Sequence, residues 1–280
     1  FYDNQITMPE RLVIENVMSA REAGAMLLNY VRAEKIEEVN GGVAVTAKDT
    51  LTGETFTFRS KVLINAAGPW IDRVRHSGNL DHKKIIFPTK GIHLVLPKLS
   101  NQALFVTSRD GRMFFIIPLE AYSLIGTTDT KYNGDLDEVR ADQNDVDYLL
   151  TESRRILPKM NLTKESVLYS YAGIRPLAFS GRSESKISRK HRVIREGRNN
   201  RIITIAGGKL TTYRNMAKDV VDAACRVLGT RTRCSTENPP LPGGLSMDYE
   251  QFLREAVPEM SSRHKVAPEL VRHLIGCYGA

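Results

Sequence analysis

A buried strand that ends at two glycines and continues as a long helix limits the fold of this chain more than any other stretch. The segment is IITIAGGKLTTYRNMAKDVVDAACRVLG, residues 202–229. In an open α/β sheet, such a turn lies at the carboxyl end of its strand, where ligands bind. A second apolar strand ends in a similar turn at LINAAGPW, residues 63–70. The sequence therefore predicts an α/β fold in which two turns face one another at one sheet edge.

The turn after residue 206 is suited to an anion. Gly207 and Gly208 allow a ligand to approach the backbone, while the N–H groups of residues 209–212 and the positive end of the helix favour negative charge. Thr211 and Thr212 add hydroxyl groups and helix caps. A plain strand–turn–helix packed through glycine explains the same letters. The chain contains neither G-x-G-x-x-G nor GxxxxGK[ST], so phosphate motifs alone do not assign a nucleotide.

The composition is that of an ordinary globular protein with room for two domains. The 280 residues are 41% hydrophobic and 26% charged, and no apolar run is long enough to predict a membrane-spanning helix. Three cysteines without C-x-x-C spacing predict neither a disulfide framework nor a zinc site and favour a reducing compartment. The opening letters FYDNQITMPERLV predict no signal or transit peptide, and without an initiator Met they suggest an excised piece.

The basic residues do not form a pattern typical of nucleic-acid-binding proteins. Forty Lys and Arg against 32 Asp and Glu give a formal charge of +8, which suits an anionic substrate, a nucleic acid, an anionic membrane face or simply a solvated surface. The basic residues are scattered and lack interleaved aromatics. The one dense run, SRKHRVIREGRNNR at 188–201, predicts a hairpin with GRNN as its turn. No nucleic-acid partner is predicted.

The order of helices and strands predicts a sheet domain inserted into an α/β domain. An amphipathic helix is predicted over 9–33, followed by an antiparallel meander and, in KVLINAAG, by a strand buried on both faces. Strand patterns return from 85 to 130, and a polar helix at DQNDVDYLLTESRRIL stops at Pro158. One covering helix over a run of strands indicates an antiparallel-sheet domain. A linker at 235–244 precedes a helical tail.

Six motifs, in their order and spacing, carry a resemblance to one enzyme family. They are NAAGPW, KGIHLVLP, IGTTDT, YAGIRPL, ISRKH and IAGGKLTTYRNMA. Together they resemble the FAD-dependent glycerol-3-phosphate dehydrogenases of respiratory chains, over roughly residues 3–245. Within this family, the stretch CRVLGTRTRCSTENPPLPGG more closely resembles the anaerobic large-subunit type. Because the family's G-x-G-x-x-G unit is absent here, the resemblance implies a piece that carries the substrate domain and the isoalloxazine side of the cofactor site.

The resemblance implies a domain organisation as well. Residues 1–77 and 197–234 would form a partial FAD-binding domain of the glutathione-reductase type. Residues 78–196 would form the antiparallel-sheet substrate domain, and residues 235–280 a linker and the start of a helical C-terminal region.

The implied reaction is oxidation of sn-glycerol 3-phosphate to dihydroxyacetone phosphate by hydride transfer to FAD, with electrons passed to a quinone or a partner subunit. One alternative is a related glycerophosphate or amino-acid oxidase, which returns electrons to oxygen. Another is a non-catalytic module that binds an anion in the same pocket. The implied location is the cytoplasm, with peripheral contact to the cytoplasmic face of a membrane as an added expectation.

This chemistry requires a group that binds the phosphate, a group that accepts the hydroxyl proton, and a group that stabilises charge on the reduced flavin. Arg175 is the predicted phosphate anchor, because a guanidinium can bind phosphate through two hydrogen bonds; a surface salt bridge is the alternative. His93 is the predicted general base, although a histidine among strand apolars is more often a core residue. Lys209 can reach the substrate phosphate or the flavin N1/C2 edge, and Arg189 is a second candidate anion contact.

The two glycine turns supply the predicted cofactor contacts. Small residues in the first turn would admit the ring system, and the second turn would offer its backbone. The residues are Asn65, Ala66, Ala67, Gly68, Gly207, Gly208, Lys209, Leu210, Thr211 and Thr212. Asp129, in GTTDT, is a helix cap, a turn residue or an orienter of the site. No metal ligand is predicted.

Overall fold

A computed structural model describes residue 6 and residues 8–80, 83–179, 187–188, 190–244 and 248–279. The helices and strands of this part of the chain are, in order, α1 (Pro9–Glu22), β1 (Val31–Val39), β2 (Gly42–Asp49), β3 (Thr55–Ser60), β4 (Leu63–Asn65), α2 (Ile71–Ser77), β5 (Ile86–Pro97), β6 (Leu104–Thr107), β7 (Met113–Leu119), β8 (Tyr122–Gly126), β9 (Thr130–Lys131), α3 (Gln143–Ile156), β10 (Tyr169–Phe179), β11 (Ile187–Ser188), β12 (Arg192–Glu196), β13 (Ile202–Ala206), α4 (Tyr213–Leu228), α5 (Tyr249–His264) and α6 (Pro268–Tyr278).

The chain divides into two compact units. The first contains the described residues within 1–32, 48–55 and 231–280, and the second those within 33–47 and 56–230. In the first unit α5 packs on α6, which confirms the predicted helical tail. No helix among the described residues is both long and apolar enough to cross a bilayer. The domain boundaries given above stay a prediction.

The largest sheet lies in the second unit and has the strand order β11-β10-β5-β8-β7-β6, with β9 beside β5. Its strand pairs are antiparallel. Along β5, Ile92, Leu94 and Leu96 alternate onto one face and are fully buried, in one core with Leu149 and Leu150 of α3. The residues between them lie on the opposite face of the sheet. The predicted antiparallel sheet with one covering helix is therefore confirmed.

A buried charge network fixes α3 to β5. The Asp142 carboxylate caps α3 by accepting the N–H of Asp145 at 3.0 Å, and the Asp145 carboxylate accepts the N–H of Asp142 at 3.3 Å. The ammonium of Lys90 lies 2.6 Å from a carboxylate oxygen of each of these two residues. The hydrogen bond from Lys90 is the main cause that lowers the pKa of Asp142. Lys90 and Asp145 are both buried, so this network holds the helix against the sheet.

Replacing Lys90 with methionine should lower the free energy of unfolding by about 3 kcal/mol, because the buried Asp145 carboxylate loses its counter-charge. Lys164→Met is the matched control. Lys164 pairs with Asp147, which lies on α3 as Asp145 does, but the two side chains are 52% and 45% exposed. Loss of this pair should therefore lower the free energy of unfolding by less than about 1 kcal/mol. Denaturant titration of both variants measures the two losses in free energy of unfolding. Equal losses would show that burial of the network adds no stability.

A second sheet in the same unit brings the glycine turns together. Its order is β12-β13-β4. β12 and β13 form the predicted hairpin, whereas β13 and β4 are parallel, with Thr204 opposite Asn65. α4 packs on β13. Because parallel neighbours end at the same sheet edge, the turns after β4 and β13 lie side by side, as predicted.

The predicted meander β1-β2-β3 is confirmed, but two expectations about neighbouring segments are wrong. The helix predicted over 9–33 ends at Glu22. Gly24 follows with φ +89°, in the left-handed region that a helix cannot continue through. The strand in KVLINAAG is not buried on both faces, since β4 is three residues long and Ile64 is 39% exposed.

Candidate active site

The strand register gathers the candidate residues on the sheet face opposite α3. Gly173 of β10 faces Gly91 of β5, and Tyr171 faces His93. Directly paired residues share a face, and so do residues two apart on a strand. Arg175 therefore lies on the same face as His93, with the Gly91–Gly173 pair between them. Neither glycine has a Cβ, so no side chain rises from the pair itself; the space over Gly173 is open, whereas other side chains extend over Gly91.

The guanidinium of Arg175 extends over Gly91 and is held there by three hydrogen bonds. Nη1 donates to the carbonyl oxygen of Thr128 at 3.0 Å and to the carboxylate of Asp129 at 3.3 Å, and Nη2 donates to Oγ1 of Thr127 at 2.9 Å. A Cβ on Gly91 would come within 2.7 Å of Nη2, so this position requires glycine. The side chain is 29% exposed, which leaves the held charge accessible to an anion.

His93 lies between Tyr171 and Gly126. Its ring stacks on the Tyr171 ring with centroids 4.9 Å apart and planes 17° apart. On its other side Gly126 is the paired residue of β8, where a Cβ would come within 2.8 Å of Cγ of the imidazole. Neither ring nitrogen has a hydrogen-bond partner within the described part of the chain.

The surroundings of His93 keep its imidazole neutral. Burial, followed by the positive charge of Arg175, lowers the pKa of His93 from 6.5 to about 4. A neutral imidazole offers a lone pair that can accept a proton. At neutral pH the face therefore presents a fixed cation over Gly91 and a neutral imidazole two residues further along β5.

The first glycine turn is held open by Asn65. This buried side chain donates from Nδ2 to the carbonyl oxygen of Ile71 at 3.2 Å and accepts the N–H of Ala67 at 3.3 Å. Ala66 is exposed. Gly68 has φ +56°, and a Cβ there would meet nothing within 4 Å. A flat group can therefore approach the backbone of this turn closely.

Neighbouring atoms leave little room for a side chain at either residue of the second glycine turn. Gly207 and Gly208 have φ +77° and +89°. A Cβ on Gly208 would overlap the sulfur of Met216, and one on Gly207 would lie 3.1 Å from the carbonyl oxygen of Lys190. Both positions thus require glycine for conformation and for space.

The N–H groups at the start of α4 are only partly available, which differs from the prediction. A 3₁₀ turn, Leu210–Thr212, precedes the helix. The Thr212 hydroxyl donates to the carbonyl oxygen of Lys209 at 3.0 Å and accepts its N–H at 3.3 Å, and the N–H of Thr212 donates to the same carbonyl. The N–H groups of Leu210 and Thr211 have no acceptor in the described ranges. Two of the four predicted N–H donors therefore remain without an acceptor among the described residues.

The end of β10 lies beside the second glycine turn at Ala178, whose side chain is on the sheet face opposite that of Arg175, because an odd number of residues separates the two. The Cβ of Ala178 lies 3.3 Å from where a Cβ of Gly207 would be. Arg175 precedes Ala178 by three residues, or roughly 10 Å along a strand. The side chain of Lys209 is exposed and forms no ion pair or hydrogen bond with the described residues. Arg189, the other predicted anion contact, lies outside the described residues.

Two residues near these sites carried no recognisable signal in the sequence. Tyr171 stacks on His93 because of a strand register that the letters do not reveal. His191, predicted to be a surface or packing residue, has Nε2 2.8 Å from the Asp219 carboxylate, and its Cβ lies 3.3 Å from the Cβ position of Gly208. His191 thus ties the second glycine turn to α4.

Comparison with known proteins agrees with this arrangement. The profile of the family described as FAD dependent oxidoreductase matches residues 1–221. A glycerol-3-phosphate dehydrogenase of Synechocystis sp. is 37% identical over 306 residues, covering 100% of this chain and 53% of that protein. An aerobic glycerol-3-phosphate dehydrogenase of Staphylococcus aureus is 36% identical over 298 residues, covering 100% and 52%. This chain thus spans about half the length of either relative.

The same relationship holds in three dimensions. The crystal structure of the glycerol-3-phosphate dehydrogenase from Bacillus halodurans, complexed with FAD, superposes with a TM-score of 0.86 at 37% identity. The superposition covers 96% of this chain and 53% of that one. A family profile that spans most of the sequence, together with this agreement of fold, gives one conclusion: the chain belongs to the family of FAD-dependent oxidoreductases.

Proposed function

We propose that the protein oxidises sn-glycerol 3-phosphate to dihydroxyacetone phosphate with FAD as the hydride acceptor. The observation that carries this proposal is the fixed guanidinium of Arg175 and the neutral imidazole of His93 on one sheet face. The guanidinium lies over Gly91, and His93 follows two residues later, roughly 7 Å along the strand. A three-carbon phosphate ester is of the right size to bridge these groups.

Arg175 would bind the phosphate. The contacts to Thr127, Thr128 and Asp129 already fix its guanidinium, so little conformational freedom is lost when the anion arrives. A charge-assisted guanidinium–phosphate pair also fixes the orientation of the three-carbon chain. The phosphate end of the substrate thereby determines which carbon faces His93.

His93 would accept the hydroxyl proton of the substrate. Its lowered pKa keeps it unprotonated before the substrate binds. A phosphate beside Arg175 offsets the guanidinium charge, which is one of the two causes of the lowered value. Substrate binding therefore raises the pKa of His93 toward the pH at which a general base is most effective.

The two glycine turns fit FAD. Bound FAD supplies the acceptor for the hydride that leaves the substrate carbon. Ala66, Ala67 and Gly68 would line its ring system, since the space above Gly68 is open. The N–H groups of Leu210 and Thr211 would donate to negative charge on the reduced flavin, and Lys209 would stabilise either that charge or the substrate phosphate.

The electron acceptor and the location are part of the same proposal. We infer a quinone or an electron-transfer subunit as acceptor, and a cytoplasmic protein in peripheral contact with a membrane. The support is the resemblance of the motifs and the formal charge of +8, which suits an anionic surface. Retention on membranes after a high-salt wash would contradict an electrostatic contact. The anaerobic subtype stays a prediction from the sequence.

A steady-state assay tests the reaction. Protein prepared with FAD should reduce a soluble quinone analogue when sn-glycerol 3-phosphate is added, and should release little hydrogen peroxide in air. Glycerol, which lacks the group that Arg175 binds, serves as the control substrate. Stoichiometric peroxide would favour the oxidase alternative. Saturable binding of glycerol 3-phosphate without any turnover would favour the non-catalytic anion-binding module.

A further inference from the structure

We infer that Tyr171 is a positioning residue that holds the imidazole of His93 by ring stacking in the orientation required for proton transfer. The inference rests on the proposed function, because it assigns to Tyr171 a task in the step that His93 performs. It concerns a residue that touches His93 and that the mechanism above does not use.

In the described part of the chain, the imidazole of His93 lacks the hydrogen bond that usually orients a catalytic histidine. Such a ring is commonly fixed by a hydrogen bond from one nitrogen to a carboxylate or a carbonyl oxygen. In the part of the chain that the structure describes, no such partner reaches His93. Its orientation must therefore come from packing on its two faces.

The two faces of the His93 ring are confined by the Tyr171 ring on one side and by the backbone of Gly126 on the other. Tyr171 stacks at 4.9 Å with planes 17° apart, close to the parallel arrangement that aromatic rings adopt when offset. On the opposite side Gly126 leaves room only for a hydrogen atom, since a Cβ there would overlap Cδ2 of the imidazole. The ring is thus confined to a slot between a flat wall and the backbone. Rotation about the Cβ–Cγ bond would bring it against one wall or the other.

Tyr171 also shapes the environment of His93. Tyr171 is 42% exposed, and Tyr169 continues the row of rings, with the centroids of the two tyrosines 6.4 Å apart. The groups that face the imidazole are therefore the Tyr171 ring and the charge of Arg175, whose carboxylate neighbour is Asp129. The tyrosine ring contributes to the burial that keeps His93 neutral.

Two substitutions at position 171 separate the ring from its hydroxyl. Tyr171→Phe keeps the stack and should leave kcat within about twofold of the original value. Tyr171→Ala opens the slot and should lower kcat by about 3- to 10-fold while KM changes less, because an aromatic pair contributes an amount of this order. Tyr169→Ala, on the same strand and face but next to Tyr171 instead of His93, is the matched control and should resemble Tyr171→Phe.

Proton NMR of the His93 ring gives a readout that needs neither FAD nor turnover. Stacking on Tyr171 predicts a ring-current shift of the imidazole protons, retained in Tyr171→Phe and lost in Tyr171→Ala, where the titration midpoint should also rise from about pH 4 toward 6.5. Unchanged His93 signals in Tyr171→Ala would overturn the inference, as would equal loss of kcat in the Phe and Ala variants. If the NMR result holds but glycerol 3-phosphate is not oxidised by the unmodified protein, the proposed function fails and the stacking role stands.

Discussion

Replacing His93 with glutamine is expected to slow the reduction of bound FAD by glycerol 3-phosphate by about 10²- to 10⁴-fold, the range typical of a lost general base. Glutamine keeps a polar side chain of similar size in the slot between Tyr171 and Gly126. KM should change little, because in the proposed reaction His93 would accept the hydroxyl proton whereas Arg175 would bind the phosphate. Stopped-flow absorbance at the flavin band measures this step directly.

The control for this substitution is His264→Gln. His264 is an exposed residue at the end of α5, and its replacement should leave the rate unchanged. Equal losses of rate and of substrate affinity in His93→Gln would contradict the assignment, because they would indicate a general disturbance of the site. Rates within twofold of the original would exclude His93 as the base.

Replacing Arg175 with alanine should weaken the binding of glycerol 3-phosphate by about 1.5 to 3 kcal/mol, the value of a lost hydrogen-bonded charge contact, which corresponds to about 10- to 150-fold in KM. The loss should be much smaller for glycerol, because glycerol has no phosphate. Arg175→Lys keeps the charge without the two-pronged geometry and should recover only part of the affinity.

Arg140→Ala is the matched control for Arg175→Ala. The side chain of Arg140 is 81% exposed and pairs with Glu138 at the surface, so its loss should leave KM unchanged. Thermal unfolding of both variants shows whether the fold is intact, since Arg175 also joins β10 to Thr127 and Thr128. An unchanged KM in a folded Arg175→Ala protein would exclude the phosphate-anchor role.

The charge of Arg175 should also be visible in the titration of His93. A nearby cation disfavours the imidazolium, so its removal must raise the pKa of His93 from about 4 toward 6.5. Glycerol 3-phosphate bound beside Arg175 should shift the titration in the same direction. NMR titration of the Arg175→Gln protein and of the substrate complex measures both effects. An unchanged midpoint would show that the two groups do not interact, and a lower one would contradict the expected repulsion.

The sequence predicts those features of the fold that depend on local signals. α3 ends before Pro158, as the proline predicts, and it begins after Asp142, whose side chain caps it. The β12–β13 hairpin and the two adjacent glycine turns are also where the letters indicate them. The first helix was predicted too long because apolar residues continue at helical spacing to Val31, and a single left-handed residue, Gly24, ends it.

The candidate site was predictable to the extent that its residues lie in short motifs. Arg175 and His93 stand in motifs that resemble a known family, and both lie on one sheet face. The stack of Tyr171 on His93 and the position of Arg175 over Gly91 depend on the register of β10 against β5, which pairs residues far apart in the sequence. A one-residue slip would move Tyr171 to the other face. Only the folded chain therefore reveals which ring packs on His93.

The most direct test of the account is the visible absorption spectrum of the protein with bound FAD, recorded without oxygen before and after addition of sn-glycerol 3-phosphate. The oxidised flavin band should disappear with glycerol 3-phosphate, persist with glycerol at the same concentration, and disappear far more slowly in His93→Gln. A band that persists with glycerol 3-phosphate but is bleached by dithionite would contradict the proposed reaction, because the flavin would then be bound and reducible without accepting electrons from this substrate.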